Sequence, residues 1–284
     1  MDSKIIQLYD EYTHKPLSRK SFISKMIQIT GSLTTALSLI SLLENNNSKT
    51  LTTENDPGLF TEKVTWEIEG GTMKGYLARP ENKGKFPGVI VIHENRGLNE
   101  HIEDVTRRVA QAGFTALAPD GLSLLGGTPE NADDARTMFG KLDSNQNTLN
   151  FVSSVKYINS RDDCSGKTGC VGFCWGGAMA NQLAIHAEEL KAAVAFYGRQ
   201  PLTADIFKIK APVQLHYAEN DERVNAGISE YETELKAEGK AYELYMYQGV
   251  GHAFHNNTSE ARYNAEAAKL AWERTLMFFE KYLK

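Results

Sequence analysis

One ten-residue segment, TGCVGFCWGG at positions 168–177, constrains the fold of this chain more than any other. A short apolar run leads to Gly172, and Cys174 follows two residues later, with another glycine at position 176. This spacing is typical of a nucleophile elbow, with cysteine where serine is usual. Because the turn from strand to helix is so tight, the flanking positions tolerate almost no side chain. The segment therefore predicts a strand, a sharp turn at Cys174 and a helix that begins beside it.

A buried structural cysteine in a glycine-rich turn would show the same short pattern, so the rest of the chain decides between the two interpretations. Asp221 follows the apolar run 212–217, and His252 follows the strand-like run 242–247. Cys174, Asp221 and His252 thus occur in the order nucleophile, acid, base, and each lies where open α/β sheets build their sites. An imidazole held by a carboxylate can take the proton of a thiol. We therefore expect these three residues to form a catalytic triad.

Two further features lie beside the expected nucleophile. The backbone N–H groups of Trp175 and Asn95 are the expected donors of an oxyanion hole, because one follows the nucleophile and the other follows the apolar run 88–93. Glu94 comes directly after the same run. It is either a solvated loop carboxylate or a group that meets the thiol, and its position beside the oxyanion loop favours the second interpretation.

Composition narrows the choice of partners. The chain has 284 residues, 41% of them hydrophobic, which is enough for one large core. Its net charge of −5 comes from acidic and basic residues mixed along the chain, so nucleic acid is not an expected partner. The three cysteines lie at positions 164, 170 and 174, and no spacing of cysteine and histidine is typical of a zinc site. We therefore predict neither a metal ion nor a cofactor.

The order of apolar runs predicts the architecture. Between residues 60 and 284, strand-like runs alternate with helix-like runs, which is typical of an α/β fold with a doubly wound, mostly parallel sheet. Residues 1–50 differ in composition and are predicted to be an N-terminal extension with a polar linker, separate from the 60–284 domain. Since the extension contains no candidate for the triad, we expect residues 1–45 to take no part in the chemistry.

The extension has two possible roles. The pair Arg19-Lys20 precedes a moderately apolar stretch that ends near residue 43. This resembles a twin-arginine export signal with lysine in place of the second arginine. The alternative is a pair of retained helices packed on the domain. An export signal would place the protein in the periplasm and retained helices in the cytoplasm, while the stretch is too short and polar to predict a membrane span.

The chain from about residue 60 to 284 resembles dienelactone hydrolase and its relatives. The resemblance rests on Asp221 and on four segments: VIHENRG (91–97), GFCWGGA (172–178), AFYG (195–198) and GHAF (251–254). It implies an α/β-hydrolase fold and cysteine-dependent hydrolysis of small esters or lactones through a thioester, with Cys174, Asp221 and His252 as the triad. Glu94 would be the family's glutamate that meets the thiol and helps convert it to thiolate when substrate binds. Tyr197 would be an aromatic residue near the active site.

Departures from the family pattern leave the substrate open. The minimal relatives hold the lactone carboxylate with two arginines, and one of those positions is Asn256 here. The other falls in a variable segment where Arg136 is the available candidate for substrate binding. A broad carboxylesterase and a non-catalytic thiol sensor are therefore kept as alternatives, and the oligomeric state is open. The extension resembles that of a subgroup whose members carry twin-arginine-like leaders.

Overall fold

The computed structural model describes residues 2–15, 17–44 and 50–284 of the chain. These residues form one eight-stranded sheet in the order β1-β2-β4-β3-β5-β6-β7-β8. Strand β2 pairs antiparallel with β1 and β4, and all other neighbours are parallel. The strands are β1 (Leu59–Ile68), β2 (Gly71–Pro80), β3 (Phe86–Ile92), β4 (Thr115–Pro119), β5 (Cys164–Phe173), β6 (Leu190–Phe196), β7 (Val213–Asn220) and β8 (Tyr242–Gly251).

Helices connect the parallel strands and precede the sheet. Two short 3₁₀ helices, Ser123–Leu125 and Thr203–Lys208, lie in the loops. The described α-helices are α1 (Ser3–His14), α2 (Arg19–Thr30), α3 (Leu33–Glu44), α4 (Glu100–Gln111), α5 (Ala132–Phe139), α6 (Ser144–Ser160), α7 (Trp175–His186), α8 (Glu222–Asn225), α9 (Ile228–Ala237) and α10 (Ala265–Leu283).

The sheet is buried on both faces because its central strands are apolar throughout. In β3, Ile90 and Ile92 pack into the core layer beneath α6, α7 and α9, whereas Val89 and Val91 pack into the opposite layer beneath α4 and α10. All four side chains are fully buried. Alternate residues of a strand face opposite sides, so an uninterrupted apolar run suits a sheet with helices on both faces. This is the α/β-hydrolase fold, and the fold prediction is confirmed.

Close backbone packing fixes the turn between β5 and α7. A Cβ atom added at Gly172 would lie 1.9 Å from the carbonyl oxygen of Gly176, and one at Gly176 would lie 2.4 Å from that of Ile92. Cys174 adopts φ 56° and ψ −111°. Positive φ is costly for a residue with a side chain, so this strain persists only because the surrounding glycines allow the turn. The elbow predicted from the sequence is therefore present.

The first three helices form a small apolar cluster of their own. The rings of Tyr12 in α1 and Phe22 in α2 stack with centroids 4.2 Å apart. Among the described residues, the only side chain from beyond the extension that joins this cluster is Ala261. Residues 18–43 thus lie in packed helices, although no helix was predicted over Ser3–His14. Within the described ranges no single helix has the length and apolarity to cross a membrane; α2 and α3 together do, but they meet at a bend of 115°.

We expect Gly172→Ala to lower the free energy of unfolding by about 1–3 kcal/mol or more, because the methyl group would meet a backbone carbonyl that cannot move away. Urea denaturation measures the loss. Gly140→Ala is the matched control, because Gly140 has φ −66° and a Cβ there would come no closer than 3.4 Å to Thr137 O. Equal losses in both variants would contradict this steric account.

Candidate active site

Cys174 lies at the N-terminus of α7 and opens onto a cleft of about 730 Å³. Only 7% of its surface is exposed. The elbow is held against the next strand, since the Cys174 N–H donates to Phe196 O at 3.0 Å. The cleft is lined by Thr13, His14, Lys15, Leu17, Ser18, Asn95, Arg136, Thr137, Phe139, Gly140, Cys174, Trp175, Ala178, Tyr197, Arg199 and Arg223. The walls therefore come from the sheet edge, from α5 and from the N-terminal extension.

The predicted acid and base meet at the ends of β7 and β8. His252 Nδ1 lies 2.5 Å from Asp221 Oδ2, and both side chains are buried. His252 Nε2 is buried without a hydrogen bond and lies within 4.8 Å of Cys174 Sγ. Ala253 follows with φ 65°, a strained conformation that marks the sharp turn after β8. The sheet thus brings together Cys174, Asp221 and His252, with the sulfur within 4.8 Å of the imidazole nitrogen.

A second histidine, which the sequence analysis did not single out, contacts the thiol directly. His14 is in the last turn of α1, and its Nε2 lies 3.0 Å from Cys174 Sγ. Its ring packs edge-on against that of His252, with centroids 4.7 Å apart. The expectation that residues 1–45 take no part in the chemistry stays a prediction, but the structure now sets against it a side chain of the extension that is hydrogen-bonded to Cys174.

The other ring nitrogen of His14 fixes the direction of this hydrogen bond. Nδ1 lies 2.8 Å from the carbonyl oxygen of Asp10, which can only accept, so Nδ1 carries the hydrogen in the neutral ring. Nε2 then has a free lone pair and accepts from the Cys174 S–H. Burial lowers the pKa of His14 well below its ordinary value, with the positive charges of His252 and Arg223 acting in the same direction. The contact seen in the structure therefore belongs to the thiol form of Cys174.

The thiolate form of Cys174, in contrast, is stabilised by His252. Burial acts to lower the pKa of His252, but the charge of the Cys174 thiolate and the bond to Asp221 outweigh it and raise that pKa to about 10. An imidazolium at His252 therefore keeps its proton at neutral pH for as long as Cys174 is ionised. His14 and His252 thus favour opposite protonation states of the same sulfur atom.

Glu94 belongs to a polar network behind the cleft. Its Oε2 accepts from Asn256 Nδ2 at 2.8 Å, and its Oε1 accepts from the Tyr197 hydroxyl at 3.5 Å. Tyr197 is buried, has φ 38° and directly follows β6. Burial, together with the negative charges of Glu94 and Cys174, raises the pKa of Tyr197 well above its ordinary value. The hydrogen bonds found for Glu94 thus lead to Tyr197 and Asn256, and the thiol is bonded to His14 instead.

Two predicted site residues, Asn95 and Arg136, hold the extension in place. Asn95 Nδ2 donates to Thr13 O at 2.7 Å. Arg136 donates to Tyr12 O, and its guanidinium carbon lies 4.1 Å from the centre of the Tyr12 ring. The guanidinium predicted to bind substrate therefore lines the cleft while it anchors α1. Trp175, the third predicted residue of this region, is the first residue of α7, directly after Cys174.

Arg262 joins the extension to the Glu94 network. Its Nη1 lies 3.5 Å from Asp10 Oδ1, and its guanidinium faces the Tyr9 ring. Burial acts to lower the pKa of Arg262, but Tyr9, Asp10 and Glu94 raise it overall, so its charge is kept. Burial also raises the pKa of Asp10. No sequence pattern indicated that Arg262 or Asp10 would lie near the site, since a lone arginine and a lone aspartate are far more often surface residues.

Two other histidines, His93 and His216, make structural hydrogen bonds. His93 Nδ1 donates to Glu94 O at 2.7 Å, and its Nε2 accepts from the Gly121 N–H at 2.9 Å. His216 is bonded to the Tyr247 hydroxyl and to Gln214. Both rings are buried and fully used in structural hydrogen bonds.

Comparison with known proteins finds a family model and several related proteins that match this chain. A family model described as the dienelactone hydrolase family matches residues 73–283. The protein named usf from Aquifex pyrophilus is 36% identical over 236 residues, which cover 78% of this chain and 99% of that protein. A Methylorubrum extorquens protein, provisionally named carboxymethylenebutenolidase, is 29% identical over 286 residues, covering 94% of this chain and 96% of that one.

A solved structure agrees with these matches. The crystal structure of a protein from Klebsiella pneumoniae, provisionally named a dienelactone hydrolase, superimposes with a TM-score of 0.72 at 28% identity. The superposition covers 79% of this chain and 99% of that one. Together with the family model over residues 73–283, this shows that the chain belongs to the dienelactone hydrolase family, a family of ester-bond hydrolases with the α/β-hydrolase fold.

Proposed function

We propose that the protein hydrolyses small esters or lactones through a thioester formed on Cys174. The observation that carries the proposal is the strained elbow, which holds a cysteine at a helix N-terminus beside a buried His252–Asp221 pair. A structural cysteine would need neither the positive φ nor the ordered acid and base. In this proposal residues 60–284 are the catalytic unit, and the extension completes one wall of its cleft.

The reaction begins when the thiol turns from His14 to His252. His252 Nε2 takes the proton, and the resulting thiolate attacks the carbonyl carbon of the ester, whose double-bond electrons move to oxygen. The C–O bond then breaks, and the leaving alkoxide takes the proton from His252. Water attacks the thioester, with His252 as its base, and the C–S bond breaks to release the acid. Asp221 holds the imidazole in the required tautomer throughout.

The tetrahedral intermediates need donors for their oxyanion. We assign this role to the backbone N–H groups of Trp175 and Asn95, which follow the nucleophile and β3 respectively. Support comes from the packing of the elbow on β3, since the Gly176 backbone lies against the carbonyl oxygens of Ile92 and His93. That contact brings the two loops together beside the sulfur.

Glu94 acts on the nucleophile through Tyr197 in this proposal. A carboxylate and a phenol that share one hydrogen bond 3.5 Å long respond to a new charge at the neighbouring thiol. The raised pKa of Tyr197 reflects burial first and then the charges of Glu94 and Cys174, so the three groups are electrostatically coupled. When substrate displaces the thiol from His14, this coupling offers a route by which Glu94 favours proton transfer to His252.

The cleft favours a substrate with a negative charge. Arg136, Arg199 and Arg223 line it, and the last two are exposed at its rim. Asn256, at one of the family's arginine positions, is used to hold Glu94. A carboxylate on the substrate would therefore meet arginines at different positions from those of the minimal relatives, which favours an anionic ester or lactone other than the relatives' own substrate.

The N-terminal extension also suggests a subgroup within the family. We propose that the chain belongs with relatives that carry a twin-arginine-like N-terminal segment, here Arg19-Lys20 at the start of α2. The match to the Methylorubrum extorquens protein over 94% of this chain supports an extended subgroup. Arg19 pairs with Glu44 at 2.8 Å and with Asp133 at 2.6 Å, so this segment contributes to docking.

Turnover of an ester panel by the wild type and by Cys174→Ala tests the proposed function. We expect the wild type to hydrolyse small lactones and anionic esters, and Cys174→Ala to lose turnover because the thioester cannot form. Cys164→Ala is the control, since that buried cysteine lies at the far end of β5. Faster turnover of neutral aryl esters than of lactones would favour the broad carboxylesterase. Absence of all turnover, with a reactive Cys174, would favour the thiol sensor.

Asp221→Asn should reduce kcat by about 10⁴-fold, the loss seen when a triad aspartate is replaced by its amide, because the imidazole then adopts the wrong tautomer. Steady-state kinetics on the best substrate of the panel measure the change. Glu222→Gln is the control, because this neighbour is exposed. Wild-type rates in Asp221→Asn would remove Asp221 from the mechanism.

Glu94→Gln should lower kcat/KM at least roughly tenfold, equivalent to about 1.4 kcal/mol of transition-state stabilisation. The amide keeps the length of the side chain but loses the charge that is coupled to Tyr197 and Cys174. The free energy of unfolding should change by much less than this amount. Glu100→Gln, at an exposed site at the start of α4, is the matched control. Unchanged kinetics in Glu94→Gln would leave Glu94 with a structural role alone, as the acceptor for Tyr197 and Asn256.

A further inference from the structure

We propose that Cys174, His14 and His252 form a Zn²⁺ site that the N-terminal extension completes. Cys174 Sγ, His14 Nε2 and His252 Nε2 all lie within 4.8 Å of one another. The three ligands come from α1, from the elbow and from the turn after β8. This inference goes beyond the proposed hydrolase activity, since metal binding requires no turnover at Cys174.

Both histidines present the free lone pair that a metal ion requires. His14 Nδ1–H donates to Asp10 O at 2.8 Å, and His252 Nδ1–H donates to Asp221 Oδ2 at 2.5 Å. A carbonyl or carboxylate on the second ring nitrogen is the usual outer-shell partner of a zinc-binding histidine, because it fixes the ring and the tautomer. Both histidines therefore already have the hydrogen-bond partner that orients a zinc-binding imidazole.

The distances suit a small tetrahedral ion. Zn–N bonds of about 2.0–2.1 Å and a Zn–S bond of about 2.3 Å place tetrahedral ligand atoms roughly 3.3–3.6 Å apart. His14 Nε2 and Cys174 Sγ are 3.0 Å apart, and no pair in the cluster exceeds 4.8 Å. The observed values bracket the required ones, so side-chain shifts of a fraction of an ångström to about one ångström would complete the geometry.

His252 Nε2 gives the independent argument for a ligand. The side chain is 2% exposed, and Nε2 has no hydrogen-bond partner in the described structure. A buried polar atom without a partner costs free energy, and such atoms in native proteins call for an explanation. A metal ion between the three residues would satisfy it. One thiolate and two imidazoles are ligands that Zn²⁺ prefers over Mg²⁺ or Ca²⁺.

Binding involves proton release and no redox change. The Cys174 S–H gives its proton to solvent as the S–Zn bond forms, and the sulfur remains thiolate. One thiolate together with the Asp221 carboxylate balances the two positive charges of the ion. The fourth position faces the cleft, where Arg199 and Arg223 favour an anion or hydroxide as the remaining ligand. The ion would occupy both the nucleophile and the base, so the zinc-bound protein should lack ester turnover until a chelator removes the metal.

Titration of the reduced, metal-free protein with Co²⁺ and then Zn²⁺ tests the site directly. We expect one equivalent of Co²⁺ to produce a thiolate-to-cobalt charge-transfer band with tetrahedral visible bands, and Zn²⁺ to displace it. Loss of an outer-shell partner costs about 10–100-fold in metal affinity. Loss of a ligand should cost at least as much, so His14→Ala should bind Zn²⁺ at least roughly 100-fold more weakly.

Two variants keep the test independent of folding and of the hydrolase proposal. His14→Gln retains the length of the side chain and a good helix former, and it should show the same loss as His14→Ala. His186→Ala removes an exposed histidine at the end of α7 and should bind as the wild type does. Wild-type affinity in both His14 variants, or a wild-type cobalt spectrum without the thiolate band, would overturn the site. Absence of ester turnover in metal-free protein would count against the proposed function alone.

Discussion

The contact between the backbones of β5, α7 and β3 determines the rest of the site. Because Gly172 and Gly176 carry no side chains, α7 begins almost directly on the sheet, and Cys174 is held at φ 56°. The sulfur therefore lies at the carboxyl edge of the sheet, where β7 and β8 deliver Asp221 and His252. Any larger residue at either glycine would move α7 and separate the thiol from the acid and base.

The extension adds to this site without sharing its core. Its apolar residues pack mostly on one another, and its links to the rest of the protein are largely polar. Asn95 and Arg136 donate to carbonyls of α1, and Arg262 pairs with Asp10. A shift of α1 would therefore expose little apolar surface while it changed the surroundings of Cys174. The thiol lies between His14, which accepts its proton in a hydrogen bond, and His252, which removes that proton in the proposed mechanism.

Local sequence patterns predicted most of the fold because the interactions that set them are local or repetitive. The run 88–93 is apolar throughout and forms β3 with one face in each core layer. The glycine spacing around Cys174 predicted the elbow, and the positions of Asp221 and His252 after strands predicted where they would meet. Glu94 was placed at the correct edge of the sheet, but its partners Tyr197 and Asn256 are distant in sequence and could not be read from a pattern.

By itself, therefore, the sequence determined the doubly wound sheet, the elbow and the order of the proposed nucleophile, acid and base, since glycine sterics and strand periodicity act over a few residues. Only the tertiary structure decided what surrounds the sulfur. His14 lies 160 positions before Cys174, in a helix without a catalytic motif, yet it is 3.0 Å from the sulfur. The same docking turned Arg136 toward α1 and created a cluster of one cysteine and two histidines. Such contacts depend on how a separate helical unit packs on the sheet edge, which no spacing within the sequence encodes.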